Sequence, residues 1–508
     1  MRRPLALAIS IVLIPVGVWA QSLADRVVEH TLLNGLRILM VERHQVPTIS
    51  FRIIYKVGSA DEVNGITGVA HLYEHMAFKG TQRIGTRNYE AETKSILRIE
   101  QVYQEIAREK GKGPKADPKR LETLAAEFDA LQEAARKWVV PNELADIYDR
   151  NGASGFNAST SRDVTNYMVS LPANRLPLWI AIESDRMANP VMREFYKERE
   201  VVLEERRRSV ETSPGGKLYE TFLSTAFAAH PYGNPILGWP SDVGTLSATE
   251  TERFFKTYYG PSNTVIAMVG DFKTDAVIPL LERSFGQIPT APAPPPVVTV
   301  EPPQRGERRV EVEDNANPRL LIGFHKPNLH HPDDPVFDVI DSLLSMGRTS
   351  RLYKKLVVEK KIAVGVSSSA GSPGARYSNL FTFSATPRAP HTTEDLEEAI
   401  YAELERLKQE APTQKEMDKV ITNIDASLVR SLRSNSGLAG QLGYFEAVAG
   451  DWRYILRNRD AIAKVTAEDV MRVAKTYFTK KNRTVARLVS VQDGAEGQDN
   501  TARKEPPR

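Results

Sequence analysis

A run of prolines cuts this chain in two. Ile288-Pro289-Thr290-Ala291-Pro292-Ala293-Pro294-Pro295-Pro296, then Pro302-Pro303 and charged residues to Arg309, cannot fill a core and reads as an extended spacer. On either side of it one pattern recurs at a constant offset. Leu246-Ser247-Ala248 through Lys256-Thr257-Tyr258-Tyr259 to Asn263 stands against Val465-Thr466-Ala467 through Lys475-Thr476-Tyr477-Phe478 to Asn482, every pair 219 residues apart. Each copy begins with Ser or Thr as an N-cap and has Glu250 or Asp469 three residues on, a capping box. Each then runs as an amphipathic helix into a β-rich stretch, Thr264 to Val269 or Thr484 to Val489. Identical residues in constant register point to a duplication. The fold class expected is therefore α+β: two homologous α/β sandwich domains, each a mixed or antiparallel sheet packed with helices. They span 21–287 and 309–490, with the linker at 288–308, and 508 residues are too many for one core.

The ends read differently. Arg2 and Arg3 precede an apolar run from Leu5 to Trp19, and Val18 and Ala20 put small residues at −3 and −1. Residues 1–20 are expected to be a cleaved secretory signal, with no stable membrane span afterwards, because an apolar run of about fifteen residues is short for one. The polar stretch 491–508 is expected to be disordered. The chain has no cysteine, which fits a bacterial periplasmic protein and excludes thiol catalysis and thiolate metal sites. A net charge of +3, with acids and bases interspersed, gives no electrostatic ground for nucleic acid as a partner.

The first half opens with strand signals: the Asn34-Gly35 turn between Thr31-Leu-Leu33 and Leu36 to Val41, then the alternating Thr48 to Tyr55. Its extra length has a visible source. Ile96, Ile99, Tyr103 and Ile106 recur at helical spacing, as do Leu121, Leu124, Phe128, Leu131 and Ala135, around a Gly111 to Pro118 turn. A helical hairpin inserted at about 96–137 is expected, its cationic tip exposed.

The chemistry centres on His71-Leu72-Tyr73-Glu74-His75. On a helix, histidines four apart project from one face and reach a single cation. Zinc suits neutral imidazoles, lowers the pKa of its water to about 7 and leaves that water free to attack a carbonyl. Glu74 stands where it could take the water's proton and pass it to the leaving amine. A catalytic zinc needs a third protein ligand, and with only nine histidines in the chain a carboxylate is expected. The richest source is Tyr196 to Arg206. There Glu198, Val201, Val202 and Glu205 share a helix face that the two valines should seat on the core, with Glu200, Glu204 and the arginines facing water.

These residues resemble the insulinase/pitrilysin (M16) family of zinc metallopeptidases, which carries an inverted zinc motif, and most nearly its two-domain bacterial branch related to mitochondrial processing peptidase. The likeness extends from Gly68 to Thr81 to Val57-Gly58-Ser59 with Asp61-Glu62, Asn157 to Ser161, Glu198 to Glu205, His230-Pro-Tyr232, Tyr259 to Asn263, Val269-Gly-Asp271 and Ser350 to Tyr353. It implies His71, His75 and Glu205 as ligands of one zinc ion per chain, with Glu205 preferred to Glu204 and Glu198 as an upstream partner behind the site. It implies Glu74 as general base, and an edge strand at Asn157 and Ala158 where an extended peptide adds by main-chain hydrogen bonds. Family members close two such halves around an unfolded peptide, so this chain would be one half of a clamshell. Two departures stand out. His75 to Glu205 is a long interval, and the hairpin accounts for the excess. Where family peptidases carry an Arg and a Tyr seven apart, this chain has Val357 and Val364, which cannot donate to an oxyanion. The resemblance thus implies a second M16-type subunit, metal-free and supplying the Arg and Tyr, or a homodimer.

The function expected is a periplasmic zinc endopeptidase of unstructured peptides, the zinc-bearing subunit of a dimer. The alternative is a non-catalytic family member acting as a scaffold or binding subunit.

Overall fold

The computed structural model describes residues 23–491, so the segment read as a signal and nearly all of the tail lie outside it. The first sheet is built from β1 (Val28–Thr31), β2 (Arg37–Glu42), β3 (Thr48–Tyr55), β4 (Ser154–Thr160), β5 (Thr165–Pro172) and β6 (Thr264–Gly270), in the order β1-β2-β6-β3-β5-β4. The second contains β7 (Arg308–Asp314), β8 (Arg319–Lys326), β9 (Ala363–Ser372), β10 (Asn379–Pro387) and β11 (Arg483–Ser490), in the order β7-β11-β8-β10-β9. Apart from the β1 hairpin strand the two orders are the same. In each, one parallel pair (β2 with β6, β7 with β11) is followed by antiparallel pairs to the far edge. The Asn34-Gly35 turn joins β1 to β2, with Gly35 at φ +89°, a backbone conformation that glycine adopts without penalty.

The helices that carry the argument are α1 (Val69–Met76), α2 (Tyr89–Lys110), α3 (Pro118–Ala135), α4 (Phe195–Arg206), α5 (Pro214–Ala226), α6 (Ala248–Tyr258), α7 (Asp334–Ser345), α8 (Gln414–Arg433), α9 (Asn435–Ala449) and α10 (Ala467–Tyr477). Capping boxes open α6 at Ser247/Glu250 and α10 at Thr466/Asp469. No helix among the described residues is long and apolar enough to cross a membrane.

Each half lends a helix to the other's sheet. Strand β6 is buried along its whole length because it has cover on both sides. Ile266 and Met268 face the first core, while Val265, Ala267 and Val269 face α9 through Leu438, Ala439 and Leu442. Helix α9 lies so close that a side chain on Gly443 would meet Ile54 at 2.7 Å. In return, α5 lays Leu218, Phe222 and Leu223 on the second sheet against Leu380, Ala486 and Leu488, with Phe222 over Gly323 of β8. The proline segment does not dangle: the Glu301 carboxylate accepts hydrogen bonds from the backbone N–H groups of Ala228, Ala229 and His230.

Helices α2 and α3 form the hairpin, capped by the Asn88 and Asp117 side chains and joined over Val102, Ile106 and Leu124. It packs on α4, where Tyr196 meets Tyr103 at 4.4 Å and Phe128 at 5.0 Å between ring centroids.

Candidate metal centre

Helix α1 follows β3 after a loop whose acids are turned inward. Its N-cap, Gly68, is left-handed at φ 88° and has no side chain with which to cap. The Glu62 carboxylate does that work, accepting from Gly68 N and Ala70 N, both at 2.8 Å. Burial pushes this carboxyl up to about 8 in spite of those bonds. The capped helix then holds His71 and Glu74 at 8% exposure each, beside the edge of the sheet.

His71 and His75 turn their Nε2 atoms toward one carboxylate on α4. Glu205 Oε1 lies 3.8 Å from His71 Nε2, and Oε2 lies 3.4 Å from His75 Nε2. One donor atom from each of the three residues falls within 4.8 Å of the others. Two ligands about 2.1 Å from one ion at the tetrahedral angle stand about 3.4 Å apart, so the set fits a zinc-sized cation. His75 Nδ1 is 3.1 Å from Glu198 Oε1, where a carboxylate can only accept, so in the neutral imidazole that a metal requires Nε2 is the ligating nitrogen. The His71 Nδ1 is buried and has no partner among the described residues.

The electrostatics favour a cation. Burial works against protonation of His75, but Glu198 and Glu205 outweigh it and raise its pKa to about 9. Burial and the neighbouring His75 depress His71 to about 4. Burial also opposes ionisation of Glu198, yet hydrogen bonds from His75 and Lys79 hold it down to about 2. Glu205 is lowered as well, first by its bond with His75. Glu204 is outside the cluster: its oxygens accept from Arg207 and Arg208 at the surface.

Glu74 stands beside the three but is not one of them. Its Oε2 accepts from Thr160 Oγ1 at 2.6 Å, and burial raises its pKa against that bond. Thr160 closes β4, the outermost strand of the first sheet, which among the described residues pairs only with β5. Asn157 and Ala158 lie on the same strand, Asn157 exposed and Ala158 at 8%. A cleft of about 460 Å³ opens here, lined by Glu74, His75, Phe78, Asn157 and Glu198 among others. Val357 packs on the second core and Val364 is 61% exposed, both away from this cleft.

Two expectations for α4 need correction. Val202 is fully buried, but Val201 is 44% exposed, so the valines do not seat the face together. Nor do the arginines all face water. Arg206 is 3% exposed and grips Glu220, and Arg199 reaches the Tyr103 hydroxyl at 2.8 Å. Three neighbours of the cluster escape sequence reasoning: Glu62, Thr160 and Lys79. All three sit in quoted stretches, yet nothing in the spacing of Glu62 tells of a cap, and the other two act across long intervals.

The chain is similar to known proteins over most of its length. Residues 37–97 and 133–239 match the model of insulinase, peptidase family M16, and residues 245–424 match that of the peptidase M16 inactive domain. The break between 97 and 133 falls on the α2–α3 hairpin, which the family pattern lacks. The zinc protease PqqE of Helicobacter pylori is 28% identical over 490 residues, 94% of this chain and 97% of its own length. A crystal structure of a protease from Helicobacter pylori superposes with a TM-score of 0.76 at 27% identity, over 91% of this chain and 99% of that one. The periplasmic protease PqqL from Escherichia coli gives a TM-score of 0.68 at 17% identity, over 95% of this chain but 51% of that one. This protein, built as one half of the M16 clamshell, belongs to the insulinase family of peptidases, family M16.

Proposed function

We propose that this chain is a zinc-dependent endopeptidase of extended, unstructured peptides, working in the periplasm as the zinc-bearing half of a dimer. The observation that carries this reading is the convergence of His71, His75 and Glu205 on one point, with the Glu74 carboxylate beside them and free of them. A zinc ion held by the three would supply a Lewis acid and a water made acidic enough to ionise near neutral pH.

The chain's own residues do the rest. Glu198 fixes the His75 ring through Nδ1 and so keeps Nε2 available. Glu74, its carboxyl raised by burial, takes a proton from the attacking water and returns it to the leaving amine. Thr160 holds Glu74 Oε2 and orients that carboxylate. The free edge of β4 at Asn157 and Ala158 offers unpaired main-chain groups, and an extended peptide adds there as a further strand. A folded segment cannot present such an edge, which restricts the substrate to unstructured chains.

Support for a partner comes from lengths and from two valines. A solved periplasmic protease of this fold is about twice as long as the present chain, and Val357 and Val364 offer nothing to a developing oxyanion. The second subunit is thus a metal-free M16-type chain that supplies Arg and Tyr, or a second copy of this one. The test is Glu74→Gln in the full chain. It should keep one zinc per chain by elemental analysis and lose about 10²–10⁴ of its peptide hydrolysis. Unchanged hydrolysis would remove Glu74 from the chemistry, no hydrolysis by the zinc-loaded wild-type chain with its partner would leave the non-catalytic scaffold as the better reading, and full activity of a purified monomer would remove the partner.

A further inference from the structure

Far from the metal, at the other end of β4, the two halves enclose a cavity of about 700 Å³. One wall is the face of the first sheet that α9 also covers, with Ser50, Ser170 and Ser154 side by side on β3, β5 and β4. The opposite wall is the C-terminal end of α8, with Leu428, Val429 and Leu432. Val429 is left 46% exposed by this arrangement. Four arginines line the space, Arg26, Arg43, Arg433 and Arg459, and no aspartate or glutamate does.

Only one of the four is neutralised among the described residues. Arg459 makes a two-pronged pair with Asp425 at 2.9 Å on both arms. Arg43 spends its donors on the carbonyls of Leu432 and Arg433, and Arg26 reaches only the Glu42 carbonyl, at 3.4 Å. Arg433 has no side-chain partner among the described residues. Arg26 also presses on Arg43 as a like charge, which adds to burial in lowering the Arg43 pKa. Unpaired cations crowded beside apolar walls favour a ligand with a carboxylate and an apolar body.

The place in the fold says which carboxylate. Ser154, on the cavity wall, opens β4, and Thr160, bonded to Glu74, closes it six residues later. A strand laid on the free edge of β4 with its scissile bond at Glu74 covers about 20 Å by the time it passes Ser154. We infer that the arginine-lined cavity is an anchoring subsite for the substrate peptide, binding a carboxylate about six residues from the scissile bond. This rests on the peptide lying along β4, as proposed above. The carboxylate is either an Asp or Glu side chain or the α-carboxylate of the peptide's end.

Zinc-loaded full-length chain carrying Glu74→Gln, with its partner subunit where one co-purifies, binds labelled peptides without cutting them. The probes share a neutral apolar sequence and carry Glu or Gln about six residues to either side of the cut, and a further pair ends in a free or amidated carboxyl there. By fluorescence anisotropy a probe with the carboxylate should bind about fivefold more tightly than its uncharged twin, an advantage that added salt weakens. The Glu arms and the free-end arm separate the two sources, and the favoured side reads the polarity of the peptide on β4. Arg26→Gln with Arg433→Gln should erase the advantage and leave the affinity for the neutral probe unchanged. Arg433→Gln alone, which disturbs no bond in the fold, should remove part of it. Equal binding of charged and uncharged probes, or a preference that survives the double change, would overturn the subsite. Wild-type hydrolysis of the neutral probe is scored separately. Cleavage without acid preference sinks the subsite alone, and acid preference without cleavage sinks the peptidase reading alone.

Discussion

The two halves place the same pair of helices in the same place and fill the contact between them differently. Helix α1 follows β3 and packs on α4; α7 follows the equivalent β8 and packs on α8. The first pair meets through His71, His75, Glu198 and Glu205. The second meets through Phe337, Ile340 and Leu344 against Met417 and Val420, all buried in one apolar cluster. A buried helix contact can thus be closed by apolar side chains alone or by donors that need a cation between them. The scaffold is indifferent to the choice, and the chemistry is not.

The sharpest break of that comparison removes the donors. His71→Ala with His75→Ala should abolish metal binding, and elemental analysis of the purified chain checks it. One equivalent of metal retained would place the ion elsewhere. The matching change in the other half is Leu344→Ala, at a fully buried position. It should cost about 2–5 kcal/mol of stability in urea and leave the metal content untouched. A loss of metal there would mean that the halves are coupled more tightly than their separate cores suggest.

The second pair also holds acids, but they face no histidine. Burial and the neighbouring Asp334 push the Asp338 carboxyl on α7 up to about 7, against a hydrogen bond from Asn458. The unfolded chain gives up that proton near pH 4, so the folded form holds more protons between about pH 4 and 7. Stability from this residue is present below pH 4 and is lost as pH rises to about 7. The ceiling is about 4 kcal/mol, which contact with water reduces. Asp338→Asn should flatten the difference in unfolding midpoint between pH 5 and pH 8; an unchanged slope would assign the effect to another group.

How far could the site be read before the fold was known? His71, Glu74 and His75 are legible because helical spacing is local, and the 219-residue offset reveals the repeat for the same reason. Glu205 comes from the family likeness, and the face argument behind it is only half right, since Val201 is exposed beside a buried Arg206. Arg206 is buried because Glu220, on the neighbouring α5, neutralises it, and no periodicity announces a partner across a turn. The exchange of α5 and α9 between sheets is silent too. An amphipathic helix shows that one face is covered, not by which half.

Glu198 allows a finer cut at the metal pair. Glu198→Gln keeps the shape but loses the charge that fixes the His75 ring, and it should weaken metal affinity about 10–100-fold. Competition with a chelator measures this. Lys79 also binds Glu198, so Lys79→Met should weaken affinity in the same direction by less. An effect of Lys79→Met equal to that of Glu198→Gln would mean that the lysine, not the carboxylate, orients the ring.

The smallest effect tests the likeness itself. Ser247 and Thr466 cap α6 and α10 by accepting from Glu250 N and Asp469 N, at 3.1 Å in both halves. Their acids return the bond to the cap backbone N–H, at 3.1 Å from Ser247 and 3.2 Å from Thr466. Losing either hydroxyl orphans one N–H in the first turn, worth about 1 kcal/mol. The surroundings differ, however. Ser247 is 2% exposed, whereas Thr466 lies nearer the surface, where water can replace the missing partner. Ser247→Ala should therefore cost more than Thr466→Ala in denaturant unfolding, with the gap a few tenths of a kcal/mol or more. Equal costs would mean that the two caps are exchangeable in energy as well as in sequence, and a larger cost at Thr466 would contradict the burial argument outright.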